Sequence, residues 1–302
     1  MVYLLGRKLI VVPGPSSRNL GFKVAEILGV NIVNLSIKFF PDGETYIKFE
    51  GEVEGETVVL IQSLNPPQDT HLLQLFLMAD TAKDLGAKRV VAVVPYTAYA
   101  RQDKRFLPGE AISINTIIKL IEASGVDRFV TFNIHEENIL NRFRVKAESI
   151  SAMRLLAEYF LKEGMANAFA LAPDQGALRW AKEANEILKG GYGWLKKERD
   201  RITGEISVEE KTLDIKDRTV IIFDDIISTG GTVAAACKIA KSQGAKKVYA
   251  ACVHPLLVGN AYERIMNSGC DGIIGTDTIP SRVSKVSVAS LIAEVLRDEL
   301  SG

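Results

Sequence analysis

Three absences narrow the possibilities before any motif is considered. The chain has no charge excess: in 302 residues, 37 Lys and Arg are balanced by 37 Asp and Glu. Proteins that work on nucleic acid or on an anionic membrane usually carry a basic surplus, so neither is an expected partner. Cysteine is scarce. Cys237, Cys252 and Cys270 are odd in number and have no metal-ligand spacing, so they read as small buried apolar side chains in a reducing compartment. Long apolar runs are missing too. Nothing approaches the roughly 18 consecutive apolar residues that span a bilayer. The opening MVYLLGRKLIVVPG is too short and too interrupted for a signal peptide. A cytoplasmic location is the expectation.

What is present is an ordinary globular composition, 47% hydrophobic and 25% charged, over a length that suits two domains. Short Val- and Ile-rich runs recur at Lys8–Val12, Thr57–Ile61, Val90–Val94, Phe129–Phe132, Ala168–Leu171, Val220–Phe223, Val248–Val253 and Gly272–Ile274. Between them, His71–Leu85, Ile112–Ala123, Ser151–Glu163 and Thr232–Gln243 repeat their apolar positions every three or four residues, as helices do. Strands apolar on both faces and separated by helices predict parallel sheets covered on both sides.

The chain also repeats itself. Thr57-Val58-Val59-Leu60-Ile61 is similar to Thr219-Val220-Ile221-Ile222-Phe223, and Gly86-Ala87-Lys88-Arg89-Val90 to Gly244-Ala245-Lys246-Lys247-Val248. Ser124-Gly125-Val126-Asp127 is similar to Ser268-Gly269-Cys270-Asp271, and the three pairs keep the same order. Two copies of one α/β domain are therefore expected, 1–150 and 151–302. The copies differ after the matched strand. The second reads Asp224-Asp225-Ile226-Ile227-Ser228-Thr229-Gly230-Gly231-Thr232, whereas the first reads Gln62-Ser63-Leu64-Asn65-Pro66-Pro67-Gln68-Asp69-Thr70. The first copy has lost both acids and both glycines, which leaves it open to bind something else.

In open α/β sheets, ligands bind where the C-terminal ends of strands give way to loops. A loop from Asp224 to Thr232 would lie there, between a buried strand and a helix. Gly230 and Gly231 let backbone approach a ligand, and their N–H groups converge with the hydroxyls of Ser228, Thr229 and Thr232 at a helix N-terminus suited to an anion. The Gly-Lys-Ser/Thr of a Walker loop is absent. Asp224 and Asp225 can accept hydrogen bonds from vicinal hydroxyls or share a magnesium ion. Hydroxyls at one end and phosphate at the other describe a sugar phosphate.

Val220–Thr232 resembles the ribose-phosphate loop of the phosphoribosyltransferase-like fold, which implies two tandem duplicated domains of that fold, each a parallel sheet flanked by helices. Four further segments resemble those of the ribose-phosphate diphosphokinases, in the family's order. They are Phe40-Pro41-Asp42-Gly43-Glu44, Tyr99-Ala100-Arg101-Gln102-Asp103-Lys104, Ile134-His135-Glu136 and Pro173-Asp174-Gln175-Gly176. Taken singly, each has a plainer reading: a hairpin turn, a solvated basic stretch, a structural histidine, a turn or cap. His71 and His254 lack such company and read as structural.

The resemblance implies an enzyme that transfers the β,γ-diphosphoryl group of ATP to the 1-hydroxyl of ribose 5-phosphate, with Mg2+ as cofactor. It assigns ATP to Phe40, Asp42, Gly43, Glu44, Arg101 and Gln102. Ribose 5-phosphate falls to Asp224, Asp225, Ser228, Thr229, Gly230, Gly231 and Thr232, and metal to His135 and Asp174. Gly190–Glu210 alone reads as a solvated loop, and the resemblance makes it a lid bearing catalytic Lys197 and Arg199, with Lys196 the competing lysine and Arg199 also touching substrate. The Asp42–Glu44 loop is expected near a subunit interface of a homo-oligomer. Two positions depart from the family's pattern: Asn133 stands where an Asp is common, and Ser228 where bacterial members usually carry an acid. Two rivals remain at this point, a phosphoribosyltransferase and a non-catalytic homologue that binds sugar phosphate or nucleotide.

Overall fold

The computed structural model describes residues 9–199, 206–209 and 213–300, without the side chains of 196–199 and 206–209. Backbone contacts divide the chain into two units, Met1–Ile150 with Ser287–Gly302, and Ser151–Val286.

The first unit runs β1 (Leu9–Pro13), α1 (Arg18–Leu28), β2 (Asn31–Ile32), β3 (Leu35–Phe39), β4 (Thr45–Phe49), β5 (Thr57–Ile61), α2 (Gln68–Asp84), β6 (Arg89–Val94), α3 (Ser113–Ala123), β7 (Arg128–Phe132) and β8 (Lys146–Ile150). Six strands form one sheet in the order β2-β1-β5-β6-β7-β8 with all neighbours parallel. β3 and β4 stand apart as an antiparallel hairpin. The strands are buried end to end, as β1, β5 and β7 show, because helices cover both faces of a parallel sheet.

The second unit follows as α4 (Met153–Lys162), β9 (Phe169–Ala172), α5 (Leu178–Leu188), β10 (Tyr192–Trp194), β11 (Lys196–Arg199), β12 (Ile206–Glu209), β13 (Thr219–Ile227), α6 (Gly231–Ser242), β14 (Lys247–Pro255), α7 (Ala261–Met266), β15 (Gly272–Thr276) and β16 (Ser284–Val286). Its sheet order, β10-β9-β13-β14-β15-β16, repeats that of the first, again all parallel. The chain closes with α8 (Ala289–Val295) and α9 (Arg297–Leu300). Residues 287–302, read from sequence as the end of the second domain, group with the first unit instead.

The duplication extends to single bonds. Lys83 pairs with Asp127 at 2.6 Å, and the same Asp127 oxygen accepts the Val90 N–H at 2.7 Å. At the matching places Lys241 pairs with Asp271 at 2.8 Å, and Asp271 accepts the Val248 N–H at 2.7 Å. Gly125 and Gly269, two residues before these acids, both take φ 91°.

Arg128, only 1% exposed, fixes the C-terminal segment to the first unit. It donates to Glu148 at 2.7 Å and to Asp298 and Glu299 at 2.8 Å each. Burial opposes its charge, yet the bonds it donates to Asp298, Glu148 and Glu299 outweigh that cost and hold the guanidinium above its ordinary pKa.

Candidate active site

A parallel sheet carries all its C-terminal strand ends on one edge, and His135 in the first unit and Asp174 and the Asp224–Gly230 segment in the second lie at or just beyond such ends. In the second unit β13 is longer than the sequence suggested. Ile226 and Ile227 continue the ladder, opposite His254 and Pro255 of β14, so Asp224 and Asp225 lie within the strand rather than in a loop beyond it. The true connection is Ser228, Thr229 and Gly230, and α6 begins at Gly231, not Thr232.

Asp225 is buried and Asp224 half-buried. Burial pushes the Asp224 carboxyl well above the usual range, and the charge of Asp225, a side-chain bond with Asp225 and the charge of Asp174 push the same way. Asp174, just beyond β9, therefore belongs electrostatically to the acid pair at the end of the neighbouring strand β13. Two carboxylates that share a hydrogen bond in a poorly hydrated place hold on to a proton.

Gly230 sits in the left-handed region at φ 74°, and a Cβ there would lie 3.0 Å from Ile265 Cδ1 and 3.1 Å from the Ala261 carbonyl oxygen. Glycine is required at this point both by torsion and by close approach. Gly231 differs, since a Cβ there would meet nothing within 4 Å. No side chain caps α6, and among the described residues none accepts a hydrogen bond from the Thr229, Gly230 or Gly231 N–H. Unpaired N–H groups at the start of a twelve-residue helix form a polarised anion cradle.

The matching place in the first unit is filled by the protein itself. Gln62, 0% exposed, accepts from the Ser16 N–H at 3.1 Å and the Ser16 hydroxyl at 2.8 Å, and donates to Gln74 at 3.2 Å. The Ser63 N–H is taken by Ser17 Oγ at 2.8 Å. Gln62 and the Ser63 N–H are thus engaged within the protein, so no counterpart of the α6 cradle stands open at this strand end.

The first unit's nucleotide candidates occupy two other features. Phe40–Glu44 is the tip of the β3–β4 hairpin, closed by the Phe40 N–H to Glu44 O at 2.8 Å and by the Glu44 N–H to Asp42 Oδ1 at 3.1 Å. Gly43 makes the turn with φ 96°. Phe39 and Phe40 are 59% and 42% exposed, and Lys38 Nζ lies 5.5 Å from the Phe40 ring centre. Arg101 and Gln102, both exposed, follow β6 in a turn that starts at Tyr99. The Gln102 N–H bonds Tyr99 O at 3.0 Å, and its side chain accepts from Ser113 Oγ at 2.6 Å.

His135 is exposed beyond β7. The preceding Asn133 is buried with φ 34°, a conformation that asparagine tolerates better than most residues. His135 belongs to the first unit and Asp174 to the second. Among the described residues no three His, Cys, Asp or Glu side chains form a metal cage.

Gly190–Glu210, expected as a loop, contains regular structure. Tyr192–Trp194 joins the main sheet, and Lys196–Arg199 pairs antiparallel with Ile206–Glu209, Lys197 opposite Val208 and Arg199 opposite Ile206. The side chains of Lys196, Lys197 and Arg199 lie outside the described residues.

Two family models match this arrangement, the N-terminal domain of ribose phosphate pyrophosphokinase over residues 9–125 and the phosphoribosyl transferase domain over 143–279. Ribose-phosphate pyrophosphokinase of Saccharolobus solfataricus is 42% identical over 272 residues, covering 90% of this chain and 93% of its own. That of Methanobrevibacter smithii is 42% identical over 299 residues, covering 96% and 100%. This chain belongs to the ribose-phosphate pyrophosphokinase family. The crystal structure of phosphoribosylpyrophosphate synthetase from Mycobacterium smegmatis superposes with a TM-score of 0.87 at 29% identity, covering 97% of this chain and 99% of that one.

In this pyrophosphokinase the duplicated phosphoribosyltransferase-like fold stands as read from sequence. The rival phosphoribosyltransferase needed only one such domain, and the match over residues 9–125 removes it. Sequence reasoning missed Asp69, whose carboxylate receives the Tyr99 hydroxyl, and Arg264, which reaches the Thr229 carbonyl. Asp69 lies in the first turn of α2, within the first copy's diverged segment, and Arg264 in the short helix α7. Neither carries a local signal, because each acts on a partner at least 30 residues away. The three cysteines are buried, as expected. No described helix is long and apolar enough to cross a membrane.

Proposed function

We propose that the acid pair and N–H cradle at the end of β13 hold ribose 5-phosphate while the first unit's hairpin and β6 turn hold ATP. The enzyme is a ribose-phosphate diphosphokinase. The 1-hydroxyl of ribose 5-phosphate attacks the β-phosphorus of ATP, the bond from that phosphorus to the α,β-bridging oxygen breaks, and AMP leaves. The sugar keeps the β,γ-diphosphoryl group as phosphoribosyl pyrophosphate, and the hydroxyl proton passes to solvent. The observation that carries the reading is the order along one strand end: two carboxylates for ribose hydroxyls, then open N–H groups for its phosphate.

In this assignment Asp224 and Asp225 accept hydrogen bonds from the 2- and 3-hydroxyls. Ser228, Thr229, Gly230, Gly231 and Thr232 bind the 5-phosphate. Phe40 packs on adenine, Asp42 and Glu44 accept its hydrogen bonds on the turn made by Gly43, and Arg101 and Gln102 meet the phosphates. Lys197 and Arg199 neutralise the transferring group, and Arg199 also touches the sugar phosphate. Phosphoryl transfer asks a protein mainly for positioning and charge stabilisation, which this set supplies.

The donor set suits Mg2+. Asp174 offers hard oxygens beside the Asp224 carboxyl, whose pKa burial raises first and the charges of Asp225 and Asp174 raise further, and a magnesium site usually needs only one or two protein carboxylates beside substrate phosphates. With His135 as the other assigned ligand, bound Mg2+ would supply positive charge to offset that of the phosphates. The exposed Phe39 and Phe40 on a hairpin outside the main sheet support a homo-oligomer in which the Asp42–Glu44 tip meets a neighbouring subunit. Balanced net charge supports a cytoplasmic enzyme with neither nucleic acid nor membrane as partner.

Phosphorus NMR of the protein with ATP, Mg2+ and ribose 5-phosphate tests the reaction. AMP appearing with a sugar diphosphate ester is expected. ADP with a singly phosphorylated product would make it an ordinary kinase. Saturable binding without turnover would favour the non-catalytic homologue.

A further inference from the structure

An anion cradle works only if its N–H groups already point outward, and the groups that turn them lie outside the loop. Ile227 O accepts the Leu257 N–H and Ser228 O the Val258 N–H, each at 3.0 Å. Thr229 O accepts Arg264 Nη1, also at 3.0 Å. A trans peptide carries its C=O and the following N–H on opposite sides. Anchoring these three carbonyls to the segment from Leu257 to Arg264 therefore turns the N–H groups of Ser228, Thr229 and Gly230 the other way.

Two of the anchors are backbone to backbone. The third is a side chain, itself held by a second bond, Arg264 Nη2 to Asn260 Oδ1 at 3.0 Å. Behind it, Ile265 and the Ala261 carbonyl press on Gly230 from the same helix, α7. α7 is thus a backing plate for the loop, and among the described residues Arg264 is its one hydrogen-bonding contact on the Thr229–Gly230 peptide.

We propose that Arg264 is a positioning residue for ribose 5-phosphate, fixing the Thr229–Gly230 peptide so that the Gly230 N–H is presented to the 5-phosphate. The inference rests on reading the loop as the 5-phosphate cradle. Arg264 acts through the peptide, since among the described residues its guanidinium bonds go to Thr229 O and Asn260 Oδ1. It lines a cleft of about 400 Å3 between α6 and α7 and is exposed, so truncation opens no buried cavity.

Steady-state kinetics and melting of Arg264→Met, Arg264→Lys and Thr232→Val test it. For Arg264→Met the KM for ribose 5-phosphate should rise roughly tenfold, as loss of a charge-assisted bond implies. The KM for ATP and the melting temperature should hold, and Arg264→Lys should fall between. The increase should persist at high ionic strength, which a long-range attraction would not survive. An unchanged KM for ribose 5-phosphate in Arg264→Met, or an increase that salt abolishes, overturns the proposal. Thr232→Val separates the two levels: if it raises that KM while Arg264→Met does not, only the Arg264 role fails. If neither does, the cradle reading fails with it.

Discussion

The Tyr99 phenol donates a hydrogen bond to the Asp69 carboxylate, joining the turn after β6 to the first turn of α2. Tyr99 is held at φ 65°, where a side chain is uncommon and a local cost of about 1 kcal/mol or more is typical. The bond to Asp69, followed by burial and the aspartate's charge, raises the pKa of the phenol, so it stays protonated and donating. The strained turn ends at Arg101 and Gln102, the proposed phosphate contacts. Tyr99→Phe should raise the KM for ATP roughly fivefold, about 1 kcal/mol, and leave that for ribose 5-phosphate unchanged. Initial-rate kinetics with each substrate varied would show it, and equal effects on both would remove Tyr99 from nucleotide positioning.

Asp224 sets activity against stability. Its folded-state pKa is raised, so between the ordinary aspartate value and that raised one the folded chain binds more protons than the unfolded chain. Its contribution to stability is present at low pH and declines as pH rises through that window. Asp224→Asn should therefore increase stability at pH 7 by about 1 kcal/mol and flatten the acid-side pH profile. It should also cost roughly 10- to 100-fold in kcat/KM for ribose 5-phosphate, the worth of charged hydrogen bonds to hydroxyls. Chemical denaturation across pH, with kinetics, checks both halves. A less stable variant would contradict the assigned burial penalty.

Adjacent glycines should respond differently. Gly230→Ala forces a side chain into the left-handed region against Ile265 and should cost about 1–2 kcal/mol together with weaker binding of ribose 5-phosphate. Gly231→Ala meets open space at the first position of α6, keeps its N–H and should gain about 0.5–1 kcal/mol from helix propensity. Thermal melts and a titration with ribose 5-phosphate would distinguish them, and a common response would be the adverse result.

Arg128→Met should lower stability by about 3 kcal/mol, because Glu148 and Glu299 would be left partly buried beside the exposed Asp298 without their cation. Urea denaturation measures it. A change below about 0.5 kcal/mol would mean that water replaces the guanidinium without cost.

Lys197→Ala should reduce kcat by 100-fold or more, on the order of losing one oxyanion donor, with little change in the melting temperature. Lys196→Ala is the comparison. If it is the more damaging of the two, the catalytic lysine is reassigned by one position.

The sheet cores were legible because burial on both faces writes an unbroken apolar run. Thr57–Ile61 is a strand over the same five residues that the sequence indicated. The acid end of β13 was not legible: Asp224 and Asp225 look like loop residues, and the ladder that pairs Asp224 with Cys252 and runs on to His254 and Pro255 keeps them in the strand. The β3–β4 hairpin was visible only as an Asp-Gly turn, since its strands lie outside the main sheet and are half-exposed. Asp69 and Arg264 were invisible for a different reason. Each matters through one long-range hydrogen bond, and neither periodicity nor motif records such a bond. By contrast Lys83 with Asp127 and Lys241 with Asp271 lay inside or beside repeated segments, where the duplication had marked them twice.

The return of residues 287–302 to the first unit bears on the order of assembly during synthesis. The first unit leaves the ribosome first, but Arg128 must wait beside Glu148 until Asp298 and Glu299 have been made. The second unit is one uninterrupted stretch of chain and has all its strands by Val286. The unit whose strands are made first is therefore completed after the other.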